Sequence, residues 1–116
     1  MSNYYFYPDK TPEWRYQRFD ATTTLALWTP RTGNKFVLTG LHITNNAAAG
    51  TFAIFLGTTD AGPNKVAQFT LAASSSIAPV FGPIDGSGAN YILYGRPASS
   101  PTSGFHVTST GFEDTL

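Results

Sequence analysis

The feature that most constrains the fold is the run Lys35–Asn46, the most strand-like stretch of this 116-residue chain. Within this run, Leu41 and Ile43 alternate with His42 and Thr44. Successive side chains of a β-strand point to opposite faces, so the alternation gives one apolar face and one polar face. We therefore predict a central strand whose apolar face covers a hydrophobic core.

A glycine interrupts the alternation in the middle of this run. Phe36 and Leu38 lie on the opposite parity to Leu41, so a regular strand would point them away from the core. A β-bulge at Gly40 would add one residue to this strand and bring Leu38 and Leu41 back to one face. The sequence therefore predicts a bulge or a bend at Gly40.

Shorter strand-like segments, separated by turn-forming residues, continue along the rest of the chain. Thr51–Gly57 and Lys65–Leu71 each place three apolar residues on one face of a strand, and Thr58–Asn64 between them predicts a hairpin loop. Ile77–Ile84 carries two prolines and predicts an irregular strand at a sheet edge. Further strands are predicted at Thr22–Trp28, at Tyr91–Tyr94 and from Phe105 onward. This pattern predicts an all-β fold, an antiparallel two-sheet β-sandwich resembling a jelly roll, over residues 21–116.

Residues 1–20 differ from the rest of the chain. They hold seven of its 17 aromatic side chains, and Pro8 and Pro12 favour an extended backbone. Burying seven aromatic side chains contributes roughly 10–20 kcal/mol, whereas ordering 20 backbone residues costs about 20–40 kcal/mol. We therefore predict an extended N-terminal arm that becomes ordered only by docking, either on its own sandwich or on a neighbouring subunit. The predicted partner-binding residues are its aromatic residues, Tyr4, Tyr5, Phe6, Tyr7, Trp14, Tyr16 and Phe19.

Charge and composition exclude several classes of protein. The net charge is zero, so the chain lacks the basic field that a nucleic-acid-binding protein needs. No stretch approaches the roughly 18 apolar residues of a membrane helix, and the N terminus lacks the pattern of a secretion signal. We therefore expect no nucleic-acid partner, no membrane partner and no cleaved signal. Cysteine is absent, which removes disulfides and thiolate metal sites.

Charged residues are scarce and unevenly placed. They make up 12% of the chain, about half the usual quarter. Six of the 14 charged residues lie within residues 1–20. Two interpretations remain open for the rest of the surface: hydroxyl-rich residues keep it soluble, or other protein covers it in an assembly.

The polar residues predict no catalytic or metal site. His42 and His106 could be joined by Asp60 or Asp85, but a metal site needs three or four converging ligands. The acidic candidates fall in predicted turns and in the C-terminal tail, where carboxylates are ordinarily solvated: Asp60, Asp85, Glu113 and Asp114. We therefore predict no enzyme activity, no cofactor and no metal.

Two short motifs have structural interpretations. Ser74–Ser76 lacks the glycine elbow and the oriented His–Asp pair that activate a serine nucleophile, so it predicts a linker between strands. Asp85–Gly88 fits neither a phosphate-binding loop nor a dinucleotide-binding loop and predicts a hairpin turn. A third set is ambiguous, because Trp28, Tyr91 and Tyr94 are either half-buried core residues or a sugar-stacking platform.

Several segments together resemble a known class of proteins. They are Leu41–Asn45, Phe52–Gly57, Phe69–Ser76, Phe81–Ile84, Tyr91–Leu93 and Phe105–Glu113. Over roughly residues 36–113, this pattern of strands and turns resembles small structural proteins of tailed-bacteriophage virions, particularly β-sandwich capsid decoration (cement) proteins. The resemblance implies a non-enzymatic protein that sits on a capsid lattice and braces neighbouring capsid subunits, often as a trimer. It offers no residue-level site to carry over, and the aromatic arm lies outside it.

The resemblance and the arm together predict a virion structural protein that is assembled in the host cytoplasm. Its expected partners are the major capsid protein or another virion protein, bound through the arm and the sandwich loops, and further copies of itself. The alternative is a carbohydrate-binding β-sandwich module, carried by a phage fibre or tail or attached to an enzyme.

Overall fold

The computed structural model describes residues 11–46, 48–59, 62–79, 83–86, 91–98 and 104–115. These residues form two antiparallel sheets and a short 3-10 helix at Gly62–Asn64. The strands, in chain order, are β1 (Glu13–Phe19), β2 (Leu25–Trp28), β3 (Asn34–Asn45), β4 (Gly50–Gly57), β5 (Lys65–Leu71), β6 (Ser75–Ile77), β7 (Ile84–Asp85), β8 (Ile92–Pro97) and β9 (Phe105–Thr115). Within this part of the chain, no helix has the length and apolar character needed to cross a membrane.

The strands are divided between the two sheets as they are in a jelly roll. Sheet A has the order β1-β9-β3-β6, with β7 also paired to β3, and sheet B has the order β2-β8-β4-β5. β6 and β7 pair with different parts of β3, so together they occupy one edge position. With these two counted as one strand, the chain follows the path of an eight-stranded jelly roll. The predicted antiparallel two-sheet β-sandwich is therefore confirmed.

β3 is the central strand that the alternation predicts. It pairs with β9 on one side and with β6 and β7 on the other. The pairing with β9 shifts between Leu38 and Gly40, so Thr39 is the extra residue of a bulge, and Thr39 is exposed. Leu38 and Leu41 are both buried, with exposed fractions of 0% and 4%. The predicted bulge is therefore confirmed.

The core between the sheets is rich in aromatic rings. Phe52 of β4 meets Phe19 of β1 edge to face at a centroid distance of 5.0 Å, and it contacts Phe105 of β9 at 5.5 Å. Gly95 leaves room for these rings, because a Cβ atom there would lie 2.5 Å from Cζ of Phe52. Each such aromatic pair contributes about 0.5–1.5 kcal/mol beyond the area that it buries. The rings therefore join strands of sheet A to sheet B.

Two strands extend into segments that the sequence predicted as a linker and a turn. Ser75 begins β6, and Asp85 lies in β7 opposite Val37. The prediction of a linker at Ser74–Ser76 and of a turn beginning at Asp85 is therefore wrong at these positions. In each case a neighbouring strand offers unpaired backbone groups, and these hydrogen bonds outweigh the local preference of small and polar residues for turns.

The last part of the predicted arm is itself a strand of the sandwich. β1 pairs with β9 from Glu13 to Phe19, so residues 13–19 are the first strand of the jelly roll. The predicted domain boundary between residues 1–20 and 21–116 is therefore wrong for this strand. Antiparallel hydrogen bonds to β9 and burial of Phe19 supply the stabilisation that aromatic burial alone does not reach. The described end of the arm thus docks on its own sandwich, while residues 1–10 lie outside the described residues.

Candidate functional site on the first strand

β1 presents two different faces, because its side chains alternate between the two sides of sheet A. Trp14 and Tyr16 point away from sheet B, and their exposed fractions are 70% and 56%. Glu13, Arg15 and Phe19 point towards sheet B and are half-buried or buried. An exposed pair of large rings on one strand is unusual for a surface and marks a candidate contact site.

Phe19 has a different role from the other aromatic residues of β1. Its side chain is fully buried, and it packs against Phe52 of the opposite sheet. Phe19 is therefore a core residue that fixes the end of β1, and it is not free to bind a partner as predicted. Of the other predicted partner-binding residues, Trp14 and Tyr16 are exposed, whereas Tyr4, Tyr5, Phe6 and Tyr7 lie outside the described residues.

The two exposed rings belong to the outward side of three neighbouring strands of sheet A. We call it the Trp14–Tyr16 face and define it by Trp14, Tyr16, Thr108, His106 and His42. Tyr16 opposes Thr108 of β9, and Thr108 opposes His42 of β3. The Tyr16 hydroxyl is hydrogen-bonded to Nδ1 of His106, and the two ring centroids lie 5.8 Å apart. The face therefore combines aromatic rings with imidazole and hydroxyl groups.

The charge next to this face is neutralised. Arg18 continues the outward row of β1 and opposes His106. Its Nε donates a hydrogen bond to Asp20 at 3.0 Å, and both side chains are more than half exposed. An exposed ion pair of this kind adds little stability. Because Arg18 is paired with Asp20, the positive charge next to the Trp14–Tyr16 face is balanced by a negative one.

A buried carboxylate lies on the opposite, inward side of sheet A. Glu113 of β9 has a side chain that is only 1% exposed. It accepts hydrogen bonds from Nε1 of Trp28 at 2.9 Å, from the backbone N–H of Arg31 at 3.0 Å and from Nδ2 of Asn34 at 3.1 Å. Trp28 belongs to sheet B and Glu113 to sheet A, so this carboxylate joins the two sheets.

Two arginines complete the surroundings of the carboxylate. The guanidinium carbon of Arg15 lies 4.6 Å from the centroid of the Trp28 ring, and its Nη2 lies 2.8 Å from Glu13 and 3.4 Å from Glu113. Arg31 forms ion pairs with Glu13 at 2.8 Å and with Glu113 at 3.2 Å. We call these residues, with Asn34, the Glu113 cluster. It ties β1 to β2, to β9 and to the turn before β3.

The pKa values of both carboxyl groups are shifted downward. Burial tends to raise the pKa of Glu113, but hydrogen bonds from Trp28, Arg31 and Asn34 and the charge of Arg31 hold it below the ordinary value. The hydrogen bond from Arg31 is the largest cause of the lowered pKa of Glu13. Both groups therefore remain ionised at neutral pH. An ionised carboxylate whose oxygens are occupied by donors acts as a clamp and not as a proton donor.

The sequence interpretation missed this buried carboxylate. Glu113 was predicted to lie in a solvated tail, and the structure shows that this is wrong. A signal was present, because Glu113 has the same parity as Phe105 and Val107, which fill the core. An inward position near the end of β9 brings the carboxylate to Trp28, where donors from three segments satisfy it. Only the fold shows that those donors are close.

The other predicted site residues do not converge on a reactive centre. His42 and His106 share the Trp14–Tyr16 face, whereas Asp85 pairs with Lys35 at 2.9 Å. Asp60 lies outside the described residues. In the part of the chain that the structure describes, no group of three or more His, Asp or Glu residues is placed to hold a metal ion.

The predicted sugar-stacking platform is not assembled at the positions proposed for it. Trp28 is 1% exposed, and its ring is covered by Arg15 on one side and stacked near Phe36, at a centroid distance of 6.1 Å. Tyr91 is 37% exposed, and the hydroxyl of Tyr94 donates a hydrogen bond to a backbone carbonyl at 3.4 Å. Trp28 is therefore a core residue, as the other interpretation of this set proposed.

Comparison with known proteins adds information about the fold. No protein-family model matches the chain, and no curated protein matches it. The chain is similar to one in a solved structure described as "Bacillus endospore appendages form a novel family of disulfide-linked pili". The match has a TM-score of 0.54 and covers 93% of this chain and 91% of that chain, with 12% sequence identity. At this identity, the likeness shows a shared β-sandwich fold and nothing finer.

Proposed function

We propose that this chain is a non-enzymatic structural subunit of a protein assembly, and that its N-terminal segment, residues 1–10, makes the contact with a neighbour. The observation that carries the proposal is the placement of β1. Pairing with β9 and burial of Phe19 anchor this strand, and the aromatic segment precedes it directly in the sequence. The segment includes four consecutive aromatic residues, Tyr4–Tyr7.

The energetics of this segment favour a partner. Burial of four aromatic side chains contributes roughly 6–12 kcal/mol, while ordering ten backbone residues costs about 10–20 kcal/mol. The difference requires further stabilisation, such as backbone hydrogen bonds to a strand edge of another molecule. A tethered segment also meets its partner at high effective concentration once the sandwiches are adjacent.

The kind of assembly is proposed at two levels. The coarser proposal is a subunit held to its neighbours by protein contacts, and a fold shared with a chain of a pilus structure supports it. The neighbour's pili are described as disulfide-linked, whereas this chain has no cysteine, so its own contacts would be non-covalent. The finer proposal is a capsid decoration protein of a virion, with the major capsid protein as partner and a homo-oligomer such as a trimer. That finer proposal is supported by the resemblance of strand and turn pattern.

The experiment that tests the proposal removes the segment without removing a strand of the sandwich. Deletion of residues 1–20 would take away β1, so the informative variant is the chain of residues 11–116. Size-exclusion chromatography with light scattering compares its mass with that of the full chain. A second variant keeps the length of the chain and replaces Tyr4, Tyr5, Phe6 and Tyr7 by serine.

We expect the full chain to form an oligomer, or to be recovered with purified virus-like particles. Both variants should give a folded monomer that is not recovered with particles. If both variants assemble as the full chain does, the segment does not make the contact and the proposal is wrong.

A further inference from the structure

We infer that the Trp14–Tyr16 face is a binding site for a neutral glycan, a short stretch of uncharged polysaccharide laid across β1, β9 and β3. This function goes beyond the proposed assembly, which assigns the protein contact to residues 1–10. The inference rests on four properties of the face: the spacing of its rings, its hydrogen-bonding groups, its charge and its size.

The spacing of the two rings suits stacking against a chain of sugar rings. Trp14 and Tyr16 are two residues apart on one strand, so their backbones are separated by about 6.6–6.8 Å and their side chains leave the same face. Both rings are more than half exposed. The hydrogen bond and ring contact with His106 hold Tyr16 in place before any ligand arrives, which lowers the entropy lost on binding.

The polar groups lie beside the rings and not beneath them. Thr108 and His106 are on β9, about 4.8 Å from β1, and His42 is on β3, one strand further away. Hydroxyl and imidazole groups can both donate and accept hydrogen bonds, and because Nδ1 of His106 is bonded to Tyr16, a ligand would meet Nε2 of that ring. A sugar has matching groups: the C–H groups on the flat side of its ring can stack on an aromatic ring, and the hydroxyl groups around its rim can form hydrogen bonds. A few polar groups beside an apolar surface are typical of a specific ligand site.

The charge of the face favours an uncharged ligand. The guanidinium at its end, Arg18, is paired with Asp20 at 3.0 Å. Phosphate-rich or sulfate-rich polymers require cationic groups that can replace their counterions, and a paired arginine does not provide such a group. The face therefore complements a neutral polyhydroxyl chain better than an anionic one.

The size of the face argues against a protein as its sole occupant. Three strands span about 10 Å, and the face extends about 13 Å along the strands from Trp14 to the level of His106, which gives a footprint on the order of 130–200 Å². A stable protein interface buries about 800 Å² on each partner. The face alone is several times too small for that, whereas its dimensions match a few linked sugar rings.

The test measures retardation of the full chain in native gels that contain soluble neutral polysaccharides. The panel consists of an α-glucan, a β-glucan, a galactomannan and a xylan, with heparin as the anionic comparison. The variants are Trp14→Ala and Tyr16→Ala, and Tyr16→Phe keeps the ring while removing its hydroxyl. The control is Val66→Ala, which removes a 47% exposed apolar side chain from β5 of the other sheet.

At least one neutral polysaccharide should retard the full chain and the Val66→Ala control equally. Trp14→Ala and Tyr16→Ala should each weaken that binding by about tenfold or more, the loss expected when one stacking ring is removed. Tyr16→Phe should retain most of it. The exposed positions of these residues leave the fold intact, which circular dichroism checks for each variant.

Three results would overturn the inference. The first is the absence of retardation by every neutral polysaccharide, and the second is binding that both alanine variants retain. The third is a fall in oligomer mass for Trp14→Ala without any glycan binding, because that assigns the face to a protein partner. Light scattering on the same samples reports assembly separately, so loss of the glycan site and failure of the proposed function give different results.

Discussion

Replacement of Glu113 by glutamine preserves the shape of the side chain, but we expect it to destabilise the fold strongly. The carboxylate is 1% exposed, and its two oxygens accept hydrogen bonds from Trp28, Arg31 and Asn34. A glutamine amide has one acceptor oxygen, so at least one of these donors would face an NH₂ group. A buried donor that loses its acceptor costs about 1–3 kcal/mol.

The ion pairs around Glu113 add less than their number suggests. The side chains of Arg15 and Arg31 are 32% and 59% exposed, so solvent screens both of them. Each such pair contributes no more than about 1 kcal/mol. The lost ion pairs and the unsatisfied donor together should lower the free energy of unfolding of Glu113→Gln by about 2–4 kcal/mol.

The same carboxylate predicts a dependence of stability on pH. The pKa of Glu113 is lowered in the folded chain relative to the ordinary value of 4.5. A group with a lowered folded pKa stabilises the fold above its unfolded pKa, and this stabilisation is lost as pH falls through the folded pKa. The stability of the wild-type chain should therefore fall below pH 4.5. The Glu113→Gln variant should lose less stability over that range, and the lowered pKa of Glu13 should still contribute to its acid response.

Urea unfolding followed by far-UV circular dichroism, at neutral pH and in steps below pH 4.5, measures both effects. The matched control is Asp20→Asn, which breaks the exposed pair with Arg18 and should change stability by less than about 0.5 kcal/mol. If Glu113→Gln and Asp20→Asn have equal small effects, the Glu113 cluster does not clamp the sheets. An acid response that is unchanged in Glu113→Gln would contradict the assigned pKa shift.

Two further substitutions test the packing around β9. Ser109→Ala should raise the free energy of unfolding by about 1 kcal/mol, because the Ser109 hydroxyl is buried and has no hydrogen-bond partner among the described residues. An unchanged or lower urea midpoint would contradict this. Gly111→Ala should lower it by about 3–5 kcal/mol, because a Cβ atom there would lie 2.0 Å from the backbone oxygen of Val37; a variant with wild-type thermal stability would show that β3 and β9 can separate at this point.

The sequence predicted the central part of this fold well, for identifiable reasons. Leu38 and Leu41 lie on opposite parities around Gly40, and only a bulge lets both face a core. Such a pattern is local, so it can be interpreted without knowledge of strand order. The bulge between Ala26 and Trp28 could not be predicted in this way. Leu27 and Trp28 are adjacent and both apolar, so the sequence does not show that both must face the core.

The first strand and the buried carboxylate could not be predicted in the same way. Residues 13–16 alternate charged residues with aromatic ones, and Phe19 lies on the parity of the charged residues. A pattern of this kind does not indicate which side faces a core. The answer depends on β9, which lies more than 80 residues further along the chain. Glu113 likewise needs donors from segments that the fold brings together. Local alternation therefore defines strands, while the site depends on long-range pairing.

The measurement that tests the proposed function most directly is photo-crosslinking from the N-terminal segment. A photoreactive phenylalanine analogue at Phe6 records which molecule that side chain contacts in the assembled state, and the same analogue at Val66 on the opposite sheet is the control. We expect Phe6 to form covalent adducts between separate polypeptides, with peptides of the neighbour identified by mass spectrometry. Adducts confined to the same polypeptide would show that the aromatic segment covers its own sandwich, and they would contradict the proposed contact.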